Sequence, residues 1–131
     1  MRYFFRKDQR LNREADITPI FRTGRACFAF PIKCVYRQVP HTEGPPCRVL
    51  IVAGKSYLKR AYKRNAVKRR MREAYRLNIH TIAPPTGLGL NMALLYVGRN
   101  VRSYAEIERS IKSIFKDIAL HLEEPPTQPQ P

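Results

Sequence analysis

The distribution of apolar residues along the chain predicts three β-strands. Between residues 27 and 38, apolar residues alternate with smaller or polar ones, which is the period of a strand. Pro31 lies inside this segment and favours an edge position or a bulge, because proline has no amide proton to donate within a sheet. Two near-continuous apolar runs, 47–53 and 90–98, are typical of buried strands. The stretches rich in Pro and Gly between these segments indicate loops.

The first helix is predicted ahead of these strands. The segment 12–23 has Asn12 as a candidate N-cap, and Gly24 follows its last residue, where glycine commonly ends a helix. Pro19 interrupts the segment, because proline removes one hydrogen bond and crowds the preceding turn. The helix is therefore predicted either to be kinked or to begin at Thr18 with proline in its first turn.

The C-terminal part of the chain has the most regular helical pattern. Between residues 104 and 122, apolar residues recur every three or four positions, and Ser103 and Glu106 precede them with the spacing of a capping box. The tail 123–131 is rich in Pro and Gln and is predicted to be disordered. With a basic second helix, described next, the order α-β-β-α-β-α predicts an α+β fold. We expect one domain, residues 1–122, a small sandwich of helices packed on a central mixed sheet.

The segment from Lys55 to Arg76 is predicted to be the second helix and is the most cationic part of the chain. No Gly or Pro interrupts it, and most of its residues are good helix formers. Val67, Met71 and Ala74 recur at helical spacing and are expected to dock on the core. Basic residues recur every four positions, so they are expected along one face that points away from the core.

The overall charge indicates an anionic partner. The chain has 25 Lys and Arg against 10 Asp and Glu, a net charge of +15, which suits RNA, DNA or an anionic membrane. A membrane is the weakest of these, because no apolar run approaches the roughly 20 residues that a spanning helix needs. The N-terminus lacks the apolar stretch of a signal peptide. The three cysteines have no CxxC spacing, which suits reduced thiols in the cytoplasm.

The acidic residues are too scattered to predict a catalytic site in the protein itself. A metal-dependent nuclease needs clustered carboxylates to hold its metal ions, and no such cluster occurs in the sequence. Motifs of zinc proteases, phosphate-binding loops and serine hydrolases are also missing. The sequence therefore predicts no catalytic residue and no metal ligand.

The basic segment also carries a more specific pattern. Its residues 61–72, AYKRNAVKRRMR, resemble the signature of the bacterial ribonuclease P protein component: an alanine, then Arg-Asn, an aliphatic residue, Lys-Arg and a further basic residue. A generic basic helix has no need of Asn65 in its middle. The resemblance extends over about residues 5–118. That family usually has a third basic residue directly after Arg-Asn, where this chain has Ala66, and the departure bears on one of the family's RNA contacts.

The resemblance implies a function in tRNA processing. Members of that family are the protein subunit of ribonuclease P, a ribonucleoprotein endonuclease that removes the 5′ leader of precursor tRNA. It implies that the partner RNA, with bound Mg²⁺, cuts the substrate, and that the protein alone is inactive. The protein would raise the affinity for substrate and for magnesium. The implied partners are the catalytic RNA and precursor tRNA, and neither a protein partner nor a membrane is implied.

Two groups of residues are candidates for these contacts. The basic helix would bind the catalytic RNA, because arginines make forked contacts to phosphates and an asparagine can bond base edges or sugars. A cleft between the first helix and the sheet would bind the single-stranded leader, since aromatic side chains stack on unpaired bases. The RNA-binding candidates are Lys55, Lys59, Lys63, Arg64, Asn65, Lys68, Arg69, Arg70, Arg72 and Arg76. The candidates for the leader cleft are Ile17, Phe21, Lys33 and Tyr36. Core packing is the alternative for Phe21 and Tyr36, and a solvated strand position is the alternative for Lys33.

Other classes of protein share parts of this pattern. A ribosomal RNA-binding protein would have similar charge and length, but it would not need a leader cleft. A DNA-binding module is disfavoured, because no leucine heptads follow the basic segment and no short helix-turn-helix pair precedes it. Restoration of precursor tRNA cleavage at low magnesium would distinguish a ribonuclease P subunit from a ribosomal protein.

Overall fold

The computed structural model describes residues 10–11, 14–41 and 44–122. The described residues form three α-helices, four β-strands and a short 3₁₀ turn. The helices are α1 (Glu14–Thr23), α2 (Ala61–Asn78) and α3 (Tyr104–His121), with the 3₁₀ turn at Ile79–Thr81. The strands are β1 (Arg25–Ala29), β2 (Ile32–Pro40), β3 (Cys47–Ala53) and β4 (Leu88–Tyr96). The candidate N-cap Asn12 and the tail 123–131 lie outside the described residues.

The four strands form one mixed sheet in the order β1-β2-β4-β3. β1 pairs with β2 and β2 with β4 in antiparallel fashion, whereas β3 runs parallel to β4. The parallel pair needs a crossover connection, and α2 supplies it. The α+β class, the helices packed on a central mixed sheet and the order α-β-β-α-β-α are confirmed. The first predicted strand is in fact a hairpin of two strands, β1 and β2.

That hairpin corrects the prediction of a single strand over 27–38. The chain turns at Phe30 and Pro31, which are joined by a cis peptide bond, and Cys27 then pairs with Cys34 across β1 and β2. The two-residue alternation continues through the turn, so the sequence pattern alone does not show that the chain reverses there. Pro31 lies in this turn, outside both strands, so the predicted edge position or bulge within a strand is wrong.

Alternation along the strands divides the sheet into two faces. One face carries the larger core, where apolar residues of β2, β3 and β4 pack against α2 and α3. Among the largest fully buried side chains of this core are Tyr75, Tyr96, Phe115, Ile32, Met71 and Leu90. Ile20 is fully buried in a smaller cluster on the other face, where α1 packs on β2 and β4.

The strand register arranges the α1 side of the sheet in three parallel rows. The upper row contains Phe28, Lys33, Leu95 and Val52. The middle row contains Val35, Ala93 and Leu50, which pack with Ile20 beneath α1. The lower row contains Arg37, Asn91 and Arg48. Successive rows are two residues apart along each strand, so the upper and lower rows are separated by about 13 Å.

α1 begins at Glu14 with Pro19 inside it, so the predicted alternative start at Thr18 is wrong. The helix ends as predicted: the amide of Gly24 donates to the Ile20 carbonyl at 2.8 Å. A Cβ at Gly24 would lie 2.2 Å from that carbonyl oxygen, so the chain can leave the helix this closely only with glycine.

α2 begins at Ala61, and the prediction of a helix from Lys55 is therefore wrong. The amides of Tyr57 and Leu58 both donate to the Gly54 carbonyl, and the Leu58 side chain is buried in the main core. These turns hold residues 54–58 compactly against the body of the protein, and the helix starts only after them. Lys55 and Lys59 consequently lie in the loop that precedes α2.

α3 has Ser103 as its N-cap and Glu106 in contact with that cap, as the spacing predicted. The amide of Glu106 donates to the Ser103 hydroxyl oxygen at 3.2 Å, and that hydroxyl donates in turn to the Glu106 carboxylate at 3.3 Å. A cap of this kind stabilises a helix by roughly 1 kcal/mol. The buried stripe of α3 then packs against α2 over the sheet. In the part of the chain that the structure describes, no helix is both long and apolar enough to cross a membrane.

Candidate nucleic-acid interface

One side of α2 is anchored in the main core and the opposite side faces solvent. Val67, Met71 and Ala74 are fully buried, which confirms the predicted apolar stripe. Asn65 and Arg69 are exposed on the opposite side, one turn of helix apart. The helix therefore presents polar and cationic groups outward on a backbone that the core holds rigidly.

The basic residues of α2 do not share one face, contrary to the prediction. A step of four residues turns a helix by 40° beyond a full circle, so the row that begins at Arg64 winds from the core side to the outside. Arg64 accordingly points back to the preceding loop, where its guanidinium donates to the carbonyls of Leu58 at 2.9 Å and Lys59 at 2.8 Å. At the other end of the row, Arg76 forms an ion pair with Glu73.

Arg70 also makes a contact within the protein. Its guanidinium donates to the backbone carbonyl of Arg102 at 2.5 Å, which ties α2 to the segment that leads into α3. Arg102 in turn places its guanidinium over the Phe30 ring at 5.2 Å. Arg64 and Arg70 therefore support the fold that presents the other cations, and only part of each guanidinium remains available to RNA.

Four cations of α2 form neither a side-chain hydrogen bond nor an ion pair with another described residue. Arg69 and Arg72 are exposed, and Lys63 and Lys68 are half-buried at the flanks of the helix. No carboxylate in residues 10–11, 14–41 and 44–122 forms an ion pair with any of them. Such uncompensated charge repels itself in the isolated protein, and a polyanion that binds the surface would relieve the repulsion.

The upper row, with α1 beside it, forms the second candidate surface. Ile17 packs against the cluster that holds α1 on the sheet, and Phe21, on the next turn of the helix, is 50% exposed. Lys33 is exposed and pairs with Phe28, whose ring is 61% exposed. A cation and exposed aromatic rings thus lie on one side of α1, in an arrangement suited to single-stranded nucleic acid.

The placement of Tyr36 in the leader cleft is wrong. Tyr36 is 4% exposed and belongs to the main core, on the opposite face of the sheet from α1. The reason is the alternation along β2: Ile32, Cys34 and Tyr36 point toward the main core, so Lys33 points the other way. Burial raises the pKa of the Tyr36 phenol, although the nearby Arg25 partly opposes this.

Phe28 belongs to the second candidate surface, but the sequence analysis did not include it. In the sequence it belongs to the same alternating set as Tyr36, so both were expected on one face of one strand. The turn at Pro31 reverses the chain, and Phe28 then lies opposite Lys33 instead. Only a turn assigned between the two residues would have placed Phe28 on the surface beside α1.

The cysteines occupy positions in or beside the core. Cys27 is half-buried and pairs with Cys34 across the hairpin, whereas Cys47 is buried on β3; all three are free thiols. Burial raises the pKa of the Cys47 thiol to about 12. Among the described residues, no group of three or more His, Cys, Asp or Glu side chains could hold a metal ion.

Comparisons with known proteins agree with this architecture. The family model described as Ribonuclease P matches residues 5–119. The chain is 30% identical over 116 residues to the ribonuclease P protein component of Porphyromonas gingivalis, with 86% of this chain and 85% of that protein covered. It is 28% identical over 128 residues to the same component of Chlorobium phaeobacteroides, with 88% of each covered.

A solved structure supports the fold independently. The RNase P protein of Staphylococcus aureus superposes with a TM-score of 0.66 at 19% identity, covering 88% of this chain and 98% of that one. At that identity the likeness concerns the fold, and the family model carries the assignment because it spans most of the chain. The chain belongs to the ribonuclease P protein component family, whose role is in the removal of the 5′ leader during tRNA processing.

Proposed function

We propose that this subunit binds the catalytic RNA of ribonuclease P through the outward side of α2 and binds the single-stranded leader of precursor tRNA through the upper row and Phe21. The RNA makes the cut, and the protein alone cleaves nothing. The protein acts by holding the substrate on the complex and so raising its affinity. The observation that carries this proposal is the set of unpaired cations on a helix whose other side is buried.

The α2 surface has the chemistry that phosphate recognition needs. Arg69 and Arg72 are exposed, and the forked guanidinium group can donate two hydrogen bonds to one phosphate. Asn65, also exposed, offers both a donor and an acceptor to a base edge or a sugar. Because the buried stripe fixes α2 on the core, these groups keep their spacing without an RNA present. Each phosphate contact contributes about 1–3 kcal/mol.

The upper surface has different chemistry, which suits unpaired bases. The exposed rings of Phe21 and Phe28 offer stacking partners, and each stacked base contributes about 1–3 kcal/mol. Lys33 lies on β2 in the same row, between Phe28 of β1 and Leu95 of β4, and its ammonium group can neutralise a backbone phosphate. A duplex could not use these rings, so the surface favours a single-stranded leader over the body of a tRNA.

Magnesium belongs to the RNA in this proposal. The described residues provide no cluster of carboxylate, imidazole or thiolate groups that fits a metal ion. The protein would raise the magnesium affinity of the complex by holding the leader near the cut site. Its cations would also neutralise phosphates and so lower the magnesium concentration needed to screen their repulsion. We place the complex in the cytoplasm, consistent with three free thiols.

Reconstitution tests the proposal. The purified protein is added to a bacterial ribonuclease P RNA and a labelled precursor tRNA at a magnesium concentration too low for the RNA alone. We expect cleavage at the mature 5′ end with both components, and none with the protein alone. A protein that binds the RNA without restoring cleavage would contradict the proposed role and favour a ribosomal type of RNA binding. Cleavage by the protein alone, copurifying with it, would contradict RNA catalysis.

A further inference from the structure

α1 divides its face of the sheet into two separate surfaces. The middle row lies beneath the helix, packed with Ile20, so the upper and lower rows lie on either side of it. Phe21 is two residues from Pro19, which turns it by about 200° around the helix axis. Pro19 lines a groove over the lower row, and Phe21 therefore points away from that groove. The lower row is thus distinct from the surface proposed for the leader.

The groove over the lower row is polar and has a volume of about 400 Å³. Its floor is formed by the three residues of the lower row, Arg37, Asn91 and Arg48, which lie side by side on β2, β4 and β3. Its walls include Asp16 and Pro19 of α1. A volume of this size lies within the range of small-ligand pockets and is large enough for one nucleotide.

Asn91 at the centre of this floor has no hydrogen-bond partner for its amide among the described residues. It is only 9% exposed, and it is one of three buried polar residues in the described chain, with Asn78 and Ser110. Both of the others are bonded: Asn78 donates to the Ala74 carbonyl, and Ser110 donates to the Phe30 carbonyl. The Asn91 amide lines the groove and stays accessible from it, so it can bond a ligand that enters there.

The arginines on either side of Asn91 are also without partners in the described chain. Arg37 is exposed and Arg48 is half-buried, and neither forms a hydrogen bond or an ion pair with another described residue. Two guanidinium groups on either side of the Asn91 amide can hold a phosphate while the amide bonds a base or a ribose.

From this arrangement we propose that the lower row is a second nucleotide-binding site, which takes one nucleotide of a single-stranded RNA. Arg37 and Arg48 bind its phosphate, and the Asn91 amide bonds its base or ribose. The Pro19 ring offers an apolar wall for the base. Asp16, on the same α1 wall as Pro19, would repel an isolated phosphate but can accept a hydrogen bond from a ribose hydroxyl or a base amino group, so the groove favours a nucleotide over a free phosphate ion.

Two asparagine side chains allow the site to be observed directly in the full-length protein. In a nitrogen-15 NMR titration, the side-chain amide of Asn91 reports on the groove and that of exposed Asn65 reports on α2. The probes are uridine 5′-monophosphate, uridine and inorganic phosphate at constant ionic strength. We expect the nucleotide to shift the Asn91 resonances with saturation while those of Asn65 move little, and we expect uridine and phosphate each to bind about tenfold more weakly or worse.

Three results of this titration would overturn the proposal. Parallel, non-saturating shifts of both asparagines would mean diffuse charge attraction. An unchanged Asn91 resonance would mean that the groove is empty of nucleotide. Equal affinity for inorganic phosphate and the nucleotide would remove the nucleotide assignment. The wild-type titration does not depend on any variant folding correctly.

A pair of double variants, matched in charge, then tests the arginines. Arg37→Ala with Arg48→Ala should weaken nucleotide binding by about tenfold or more. Arg109→Ala with Lys116→Ala removes the same charge from exposed positions of α3 and should leave it within about twofold. Equal losses in both double variants would overturn the site. Thermal unfolding of both variants checks that the fold is kept.

Two RNAs could supply the nucleotide, and the reconstituted complex distinguishes them; this step rests on the proposed function. If the catalytic RNA supplies it, the Arg37 and Arg48 double variant weakens assembly. If the leader supplies it, assembly is unchanged, and affinity falls only for precursor tRNA with a long leader. No effect on either would overturn the role of the site in the complex. If the wild-type complex does not cleave, the proposed function fails, while the titration of the protein alone still decides the site.

Discussion

Arg64 is expected to contribute to folding as well as to RNA binding, and its truncation to alanine separates the two. Its guanidinium bridges the first turn of α2 to the carbonyls of Leu58 and Lys59. Leu58 is buried in the main core, so the two bonds fix the loop between β3 and α2 at the point where it enters the core. Arg64→Ala leaves both carbonyls without this donor.

The size of the effect follows from the exposure of the two bonds. A hydrogen bond from a charged donor contributes about 1.5–3 kcal/mol when it is protected from water. The Leu58 bond is partly buried, whereas the Lys59 bond is exposed and water can replace it. We therefore expect Arg64→Ala to lower the free energy of unfolding by about 1–3 kcal/mol. Arg69→Ala, at an exposed position without such bonds, should change it by less than about 0.5 kcal/mol.

Urea unfolding and RNA affinity, measured on both variants, give the decisive comparison. Arg69→Ala should weaken assembly with the catalytic RNA by about 1–3 kcal/mol at unchanged stability. Arg64→Ala should lower stability and assembly together, and Arg64→Lys should restore part of the stability because the ammonium group can reach one carbonyl. An Arg64→Ala protein as stable as the wild type would refute the structural role of these bonds.

The remaining predictions concern the core, the charge and the thiols. Tyr36→Ala should lower the free energy of unfolding by about 3–5 kcal/mol as a core truncation, without changing the ratio of precursor to mature tRNA affinity. Phe28→Ala should reduce that ratio at unchanged stability, and the reverse pattern would place the leader on the other face. Assembly with the catalytic RNA should fall steeply with salt, with a slope of log affinity on log salt of about −4 to −7 for roughly 5–8 neutralised phosphates; a slope near zero would exclude α2 as the RNA surface. The pKa of the Cys47 thiol is raised to about 12 from an ordinary 9.0. Between these two pH values the folded protein keeps the thiol proton, whereas the unfolded chain releases it. Its contribution to stability is therefore complete below pH 9 and is lost as the pH rises from about 9 toward 12, and urea unfolding across that range should show a smaller decline for Cys47→Ala than for the wild type.

The features that the sequence predicted correctly depend on neighbours within a few positions. The stripe of Val67, Met71 and Ala74 is a consequence of helical period alone, and the Ser103 cap needs only the spacing to Glu106. Such local patterns stay informative whatever the rest of the chain does. The family signature in α2 is local in the same sense, because its spacing is set by one helix.

The errors arise where a residue's role depends on how distant segments meet. The side of the sheet that Tyr36 faces depends on where the hairpin turns and on which face α1 covers, and neither is encoded in the alternation of β2. Since the side-chain period of a strand is two residues, an assignment that is wrong by one residue moves a side chain to the opposite face. Phe28 was missed for the same reason.

The basic residues of the chain fall into three groups that differ in what their side chains contact. Mutations in the three groups should therefore be interpreted differently. Arg64 and Arg70 bond backbone carbonyls, so their loss affects the fold before it affects RNA. Arg69 and Arg72 face solvent without acidic partners, so their loss should weaken RNA binding alone. The arginines of the lower row flank the Asn91 amide in one groove, so a site with a defined ligand is expected there. An alanine scan scored only by activity would merge these groups, because each would lower activity. Measuring stability, assembly and nucleotide binding on the same variants separates the groups. The first group should mainly lower stability, the second should mainly weaken assembly, and the third should mainly weaken nucleotide binding.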